Sequence, residues 1–476
     1  MADEKPKTDE KKSYPLPTDK PWVVTKHKLG KLSYTATVGM MPLNDEFGET
    51  QAGIFFMAYT KDGVTDPAKR NLMFSFNGGP GSSSVWLHLG AVGPKRVVLM
   101  PDGEMPAPPF ELEDNELSWL EHTDLVFIDP VGTGYSRPAK EDGGKKYWSL
   151  EGDVESIGEF IRMYLSRSKR WTSPLHLVGE SYGTTRAAGL SSHLMGKGIA
   201  LNSIVLVSSI LNFQTARFHK GNDLPFQVFL PTYAAAAFYH GKSGYKTLAE
   251  ALKAAETFAA GDYVLALSKG ARLEGEERAS VCATLAKLTG LSEAYIESTD
   301  LRIDIHRFCK ELLRSEKRTV GRLDSRYKGI DANSSTDQPE HDPSMTAIMA
   351  PYTTTLNQYL SSVLGWESDT PYYIFNPGEL WKHWTYGDAS NGHPDTSECL
   401  REAMSKNPFM KVFIASGYYD LATPYFATEF TLDHLGLDPS LRSNIETQYY
   451  EAGHMMYVHT DCLSKLKKDI SKFLSK

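Results

Sequence analysis

The sequence predicts an α/β protein, a mostly parallel central sheet flanked by helices and interrupted by one long helical insertion. Five compact apolar runs carry the first part: LMFSF (72–76), LVFID (125–129), LHLVG (175–179), IVLVSS (204–209) and VFIAS (412–416). Each is near-continuous, as strands buried on both faces are. Helical patterns separate several of them, notably VESIGEFIRMYLSRS (154–168) before LHLVG and TTRAAGLSSHLM (184–195) after it. Strand alternating with helix reads as a parallel sheet covered on both sides. Between Asn212 and Asp342 the strand pattern stops and helix formers take over.

In chain order, residues 1–20 are polar and proline-rich and are expected to form a disordered tail, with order beginning near Trp22. WVVTKHKL, KLSYTATV and GIFFMAY are short β-rich runs separated by turn residues, which suggests an antiparallel edge feeding a larger sheet. Residues 21–211 are thus the first part of the core. Residues 212–342, including TLAEALKAAETFAAGDYVLALS and IDIHRFCKELLRS, are a helical cap insertion. The sheet pattern is expected to resume at YYIFN (372–376), so that residues 343–476 complete the core. There is no internal repeat.

At 476 residues the chain is long enough for one large domain with an inserted subdomain. Fifty-one basic against 59 acidic residues give a net charge of -8, and no long Lys/Arg cluster breaks the mixture, so nucleic acid is not an expected partner. No stretch approaches the ~20 consecutive apolar residues that span a bilayer. The N-terminal MADEKPKTDEKK has no apolar core and is not read as a secretory signal peptide. Four scattered cysteines, Cys282, Cys309, Cys399 and Cys462, make neither a disulfide framework nor a spaced zinc site. They are read as isolated core thiols, with a Cys282–Cys309 bridge as the alternative. Neither a metal nor a cofactor is expected.

Gly179-Glu180-Ser181-Tyr182-Gly183 matches G-x-S-x-G directly after a predicted strand and directly before a predicted helix. That turn forces the serine into a strained backbone conformation, and glycine two residues to either side removes colliding Cβ atoms. A serine hydroxyl needs an imidazole to take its proton and a carboxylate to fix that imidazole's tautomer. In the α/β-hydrolase fold, which this strand–turn–helix context predicts, the chain order is Ser, acid, His. VFIASGYYD places Asp420 just beyond a strand, and ETQYYEAGHMM places His454 on the loop after the next one. His88, His176 and His306 sit in patterns that suit core or surface roles. His393 and His459 are nearer rivals, but neither follows a strand with glycine immediately before it.

Such an enzyme also needs donors aimed at the oxyanion of the tetrahedral intermediate. Asn77-Gly78-Gly79-Pro80-Gly81 follows LMFSF and can bring bare backbone amides against a substrate. The fold takes one donor from such a loop and one from the residue after the nucleophile, here Gly79 and Tyr182. A phosphate-cradling loop is excluded, because the P-loop Lys-Ser/Thr and the Rossmann spacing are both missing.

FNGGPGSSS (76–84), NELSWLEHTDLVFIDPVGTGYS (115–136), VGESYG (178–183), the strand ending at Asp420 and Gly453-His454-Met455 together resemble the serine carboxypeptidase family, in order and across most of the chain outside the insertion. LPTYAAAAFYHGK (230–242) and VGRLDSRYKG (320–329) are similar to its bacterial branch. The resemblance implies hydrolysis of the last peptide bond through an acyl-enzyme, with Ser181, Asp420 and His454 as triad and Gly79 and Tyr182 as oxyanion donors. It further implies that Asn77 and Glu180, beside Gly78, bind the substrate's terminal carboxylate. It also implies a soluble, exported protein, periplasmic or extracellular.

Two positions depart from the family pattern: Ser75 stands where a Trp is usual and Ala91 where a second Glu is usual. A family disulfide cannot form because Ser82 replaces its Cys. With no second carboxyl nearby, Glu180 is expected to ionise at lower pH than a paired carboxyl and to repel a terminal carboxylate, unless Lys95 or Arg96 reaches it. These changes motivate an esterase or acyltransferase on the same scaffold as the rival reading. A catalytically dead hydrolase used for binding is a third, opposed by the intact triad and glycine loop. A peptide or an ester is therefore the expected substrate, and the oligomeric state is left open.

Overall fold

The structure is a computed structural model and describes residues 16–18, 20–386 and 393–475. Most of the expected polar tail lies outside the described residues.

Nine strands form the main sheet: β1 (Val23–Leu29), β2 (Leu32–Asn44), β3 (Thr50–Lys61), β4 (Asn71–Phe76), β5 (Thr123–Ile128), β6 (Leu175–Ser181), β7 (Ser203–Ser209), β8 (Lys411–Gly417) and β9 (Ile445–Tyr450). Their order is β1-β2-β3-β5-β4-β6-β7-β8-β9, with the two-residue strand Arg137–Pro138 added on β3. From β5 to β9 every neighbouring pair is parallel. β1, β2 and β3 pair antiparallel, and β3 joins β5 antiparallel. The expected antiparallel edge and all five apolar runs are thus in place.

Residue chemistry explains the division. Every residue of β5 and β7 is buried, as a strand covered on both faces requires. β1 alternates half-buried and exposed positions, as an edge with one wet face does. On β3, Phe55, Met57 and Tyr59 enter one apolar core while Ile54, Phe56 and Ala58 enter the other. This period of two separates the layers above and below the sheet. The helix Leu150–Ser168 is started by Ser149, whose side chain accepts the Gly152 N–H, and stopped by Lys169 in the left-handed region at φ 57. It buries Ile157, Phe160, Ile161, Tyr164 and Leu165 on its inner face.

After β7 the chain leaves the sheet and, among the described residues, returns to it only at β8. Helices Leu224–Tyr239, Leu248–Ala259, Asp262–Lys269, Gly275–Thr289, Glu293–Ser298 and Ile305–Glu311 follow, matching the helical reading of this stretch. They share an apolar cluster around Phe229, Tyr233, Leu285 and Phe308, which also takes in Leu421 and Ala427 from beyond β8. The Lys310 ammonium and the Asp331 carboxylate form a fully buried ion pair. The sequence reading missed one element here, a small hairpin of Arg318–Val320 against Lys328–Ile330.

YYIFN does not resume the sheet. Tyr373 bridges to Gly134 and Phe375 to Ser82 as isolated contacts, and the Tyr372 hydroxyl donates to Asp129 at 2.7 Å. The run is apolar because it packs across two site-bearing loops, not because it joins a ladder. All four cysteines are free: Cys282 and Cys309 contact the carbonyls of Glu293 and Gly321, respectively.

Candidate active site

Ser181 ends β6 and precedes the helix Tyr182–Gly196 with φ 60 and ψ -130, a left-handed conformation that costs a non-glycine residue of order 1–3 kcal/mol. The turn is tight enough that a Cβ on Gly179 would stand 2.1 Å from the Gly183 carbonyl oxygen. The sequence places Ser181 here because buried β6 runs straight into a helix with no intervening loop.

Asp420 lies three residues beyond β8 and is fully buried. One carboxylate oxygen accepts the N–H groups of Ala422 at 2.7 Å and Thr423 at 3.0 Å. The other lies 2.8 Å from His454 Nδ1 and accepts the Thr423 hydroxyl at 2.8 Å. That contact leaves His454 Nε2 available to the cleft. Burial opposes charging of the imidazole, but the Asp420 charge and hydrogen bond outweigh it and hold the His454 pKa above its ordinary 6.5.

Ser181, His454, Asn77, Gly78, Gly79 and Glu180 all line one cleft of about 210 Å³. Among the described residues no hydrogen bond joins the Ser181 hydroxyl to His454, a bond that commonly tightens only when substrate arrives. Tyr182 opens its helix, where first-turn N–H groups lack intrahelical partners. Its phenol donates to Asp153 at 3.0 Å, and Arg186 joins Asp153 at 2.8 Å to the Asn77 carbonyl at 2.7 Å. One buried ion pair therefore ties the glycine loop to the residue after Ser181. Gly78 closes the loop by accepting the Ser82 N–H at 3.0 Å.

The carboxylate-binding expectations fare unevenly. The Asn77 side-chain oxygen accepts the Leu87 N–H at 3.0 Å, while Nδ2 is buried beside Glu180 and Tyr457, near enough to favour charge on Glu180 but without a well-formed hydrogen bond. Glu180 was expected to ionise readily without a second carboxyl. Instead burial pushes its pKa up to about 7, against the opposing charge of His454 and the Tyr457 hydroxyl that donates to it at 2.5 Å. Desolvation thus does what a second carboxyl was expected to do. Lys95 and Arg96 are committed to Asp114 and Glu113 across a hairpin. Ser75 and Ala91 are fully buried and line no part of the cleft.

Sequence reading missed several groups that do line it: Trp86, Trp381, Phe375, Met345 and Arg322. Phe375 lies in YYIFN and Arg322 in VGRLDSRYKG, segments that the sequence marks for other reasons, whereas Trp86, Trp381 and Met345 carry no such signal. Of the rival histidines, His88 and His176 are buried in the core, and His393 stacks on His219 away from the cleft. Neither His306 nor His459 lines it.

Comparison with known proteins gives the family and the fold. The model of the family described as serine carboxypeptidase matches residues 35–461. The pheromone-processing carboxypeptidase KEX1 of Saccharomyces cerevisiae is 33% identical over 155 residues, 30% of this chain and 20% of that protein. Its counterpart in Komagataella phaffii is 36% identical over 104 residues, 21% of this chain and 15% of that protein. The matched stretches thus span a fifth or less of these curated relatives. The crystal structure of a prohormone-processing KEX1 carboxypeptidase from Saccharomyces cerevisiae superposes with a TM-score of 0.58 at 16% identity, covering 97% of this chain and 96% of that one, which is a likeness of fold. With an α/β-hydrolase sheet, a serine at its elbow and a family match over nearly the whole described chain, the protein belongs to the serine carboxypeptidase family.

Proposed function

We propose that this chain is a serine-type carboxypeptidase. The observation that carries the reading is the 2.8 Å contact of His454 Nδ1 with buried Asp420, in one cleft with a strained Ser181. Ser181 Oγ attacks the carbonyl carbon of the last peptide bond while its proton passes to His454 Nε2. The Gly79 and Tyr182 N–H groups stabilise the oxyanion. The C–N bond then breaks, His454 gives the proton to the leaving amine, and the C-terminal amino acid departs. Water, deprotonated by the same imidazole, attacks the acyl-enzyme and restores the serine. Asn77 Nδ2 and protonated Glu180, beside Gly78, hold the terminal carboxylate. Family membership favours this over the esterase or acyltransferase reading.

Residues 212–342 act as a cap: their only contributions to the cleft lining are Arg322 and Leu323, and every proposed triad and oxyanion group lies outside them. Family resemblance supports export to the periplasm or beyond the cell; among the described residues no helix is long and apolar enough to cross a membrane. The reading is tested by incubating the protein with N-blocked peptides and with a simple aryl ester. Release of single free C-terminal amino acids supports it, and turnover of the ester alone contradicts it.

A further inference from the structure

Resting on the carboxypeptidase reading, we propose that Arg322 is a specificity-determining residue that binds the C-terminal carboxylate of the substrate in place of the missing family groups. Arg322 is half-buried and is the one Lys or Arg among the described residues that line the cleft. The segment Arg322-Leu323-Asp324-Ser325-Arg326 carries two arginines, and the structure sorts them. Arg326 takes Asp324, with Nε–Oδ1 at 2.9 Å and NH2–Oδ2 at 2.6 Å. The other nearby acid, Asp342, turns to the backbone, accepting the N–H groups of Arg322 at 3.2 Å, Leu323 at 3.3 Å and Ser344 at 3.0 Å. Among the described residues the Arg322 guanidinium has no carboxylate partner.

Its backbone is pinned between the two loops of the proposed charge pair. The Arg322 carbonyl accepts the Leu421 N–H at 3.0 Å, and the next carbonyl, that of Leu323, accepts the His454 N–H at 2.6 Å. The guanidinium therefore enters the cleft on the histidine side, where the leaving amine takes its proton. In a peptide's last residue the carboxylate is one Cα away from that nitrogen. A planar guanidinium can hold it with two parallel hydrogen bonds, geometry that a lysine ammonium cannot reproduce. The positive charge is felt at His454, where it opposes protonation.

The test compares the parent with R322M and R322K on an N-blocked dipeptide, its C-terminal amide, and an amide whose last side chain is glutamate. kcat/KM is read for each, and calorimetry measures binding of the same three compounds to the Ser181→Ala protein with and without R322M. R322M is expected to weaken the free acid by about 10- to 150-fold, the range of a charged hydrogen bond, in both binding and kcat/KM. The two amides should change at least tenfold less, and R322K should fall between parent and R322M. Equal losses on all three compounds would make Arg322 structural, and a loss confined to the glutamyl amide would make it a side-chain reader; either overturns the proposal, as does unchanged binding of the free acid. Should R322M not fold, R322K with the same binding assay decides. Failure of the carboxypeptidase reading is a separate result: the parent would release no amino acid, while the binding comparison would still judge Arg322.

Discussion

The Asp324 carboxylate accepts the backbone N–H of Gly453 at 2.8 Å, immediately before His454 in the chain. A Cβ on Gly453 would stand 2.3 Å from the Leu323 carbonyl oxygen and 2.5 Å from Asp324, so glycine lets the two segments touch. The loop that carries His454 is built directly onto residues 323–326, part of the stretch read as cap. That stretch supplies no proposed triad member, yet it holds the loop of one in place.

Asp324→Ala should therefore loosen His454 as well as weaken the fold. It leaves the buried Gly453 N–H without its acceptor, a cost of about 1–3 kcal/mol, and leaves the Arg326 guanidinium with only the Glu451 carbonyl among the described residues. The expected outcome is a fall of roughly tenfold or more in kcat for an aryl ester, about 1.4 kcal/mol of barrier, with KM changing less. Asp324→Asn, which keeps an acceptor oxygen, should recover part of it. Unchanged kcat in a destabilised Asp324→Ala protein would limit Asp324 to a structural role.

Ser181→Ala should abolish labelling by a fluorophosphonate probe while leaving thermal unfolding close to the parent's. His454→Ala should be nearly as damaging. Asp420→Asn should retain more activity, since oxyanion donors and binding alone sustain roughly 10³–10⁴-fold catalysis over water. Probe labelling that survives in Ser181→Ala would move the nucleophile elsewhere.

The sheet and the proposed triad were legible because each depends on local pattern. LHLV running straight into G-x-S-x-G reads as a strand entering a helix, and Asp420 and His454 each follow a recognisable strand. YYIFN misled because hydrophobicity reports burial, not pairing: Ile374 is buried, and half-buried Tyr373 and Phe375 bridge to loops and not to a strand. Glu180 was misjudged for a related reason. Its neighbours in sequence reveal charges, whereas its pKa is set chiefly by desolvation, which only the assembled fold displays. Arg322 lies in a segment the sequence marks, but its place in the cleft is not legible there, because it depends on how residues 322–323 pack against the loops of Asp420 and His454.

Arg186 and Asp153 form an almost fully buried pair that holds Asn77 on one side and Tyr182 on the other. Arg186→Met removes the cation and leaves Asp153 buried beside only the Tyr182 hydroxyl. Breaking such a pair costs about 3–5 kcal/mol. Chemical denaturation should show that loss. The kcat for the ester should fall with it, because both proposed oxyanion donors lose their common anchor. Pairing Arg186→Met with Asp153→Asn should restore part of the stability, and a fully additive loss would contradict the coupling.

The last expectation concerns pH. Burial sets the Glu180 pKa at about 7, so the side chain is a neutral hydrogen-bond donor below that pH and an anion above it. His454 must be unprotonated to act as base, and its pKa is raised above 6.5. For an ester without a carboxylate, kcat/KM should rise as pH climbs through the histidine pKa and then stay level. For an N-blocked dipeptide that rise should be opposed by a loss as Glu180 ionises near 7 and repels the terminal carboxylate, giving a bell-shaped profile. Glu180→Gln should remove the falling limb, because a neutral amide cannot ionise. It should also move the rising limb to lower pH for both substrates, since the Glu180 charge is one of the influences that raise His454. The measurement is kcat/KM for both substrates between about pH 4 and 9, in the parent and in Glu180→Gln. A falling limb that persists in Glu180→Gln would assign it to another group and remove Glu180 from carboxylate binding.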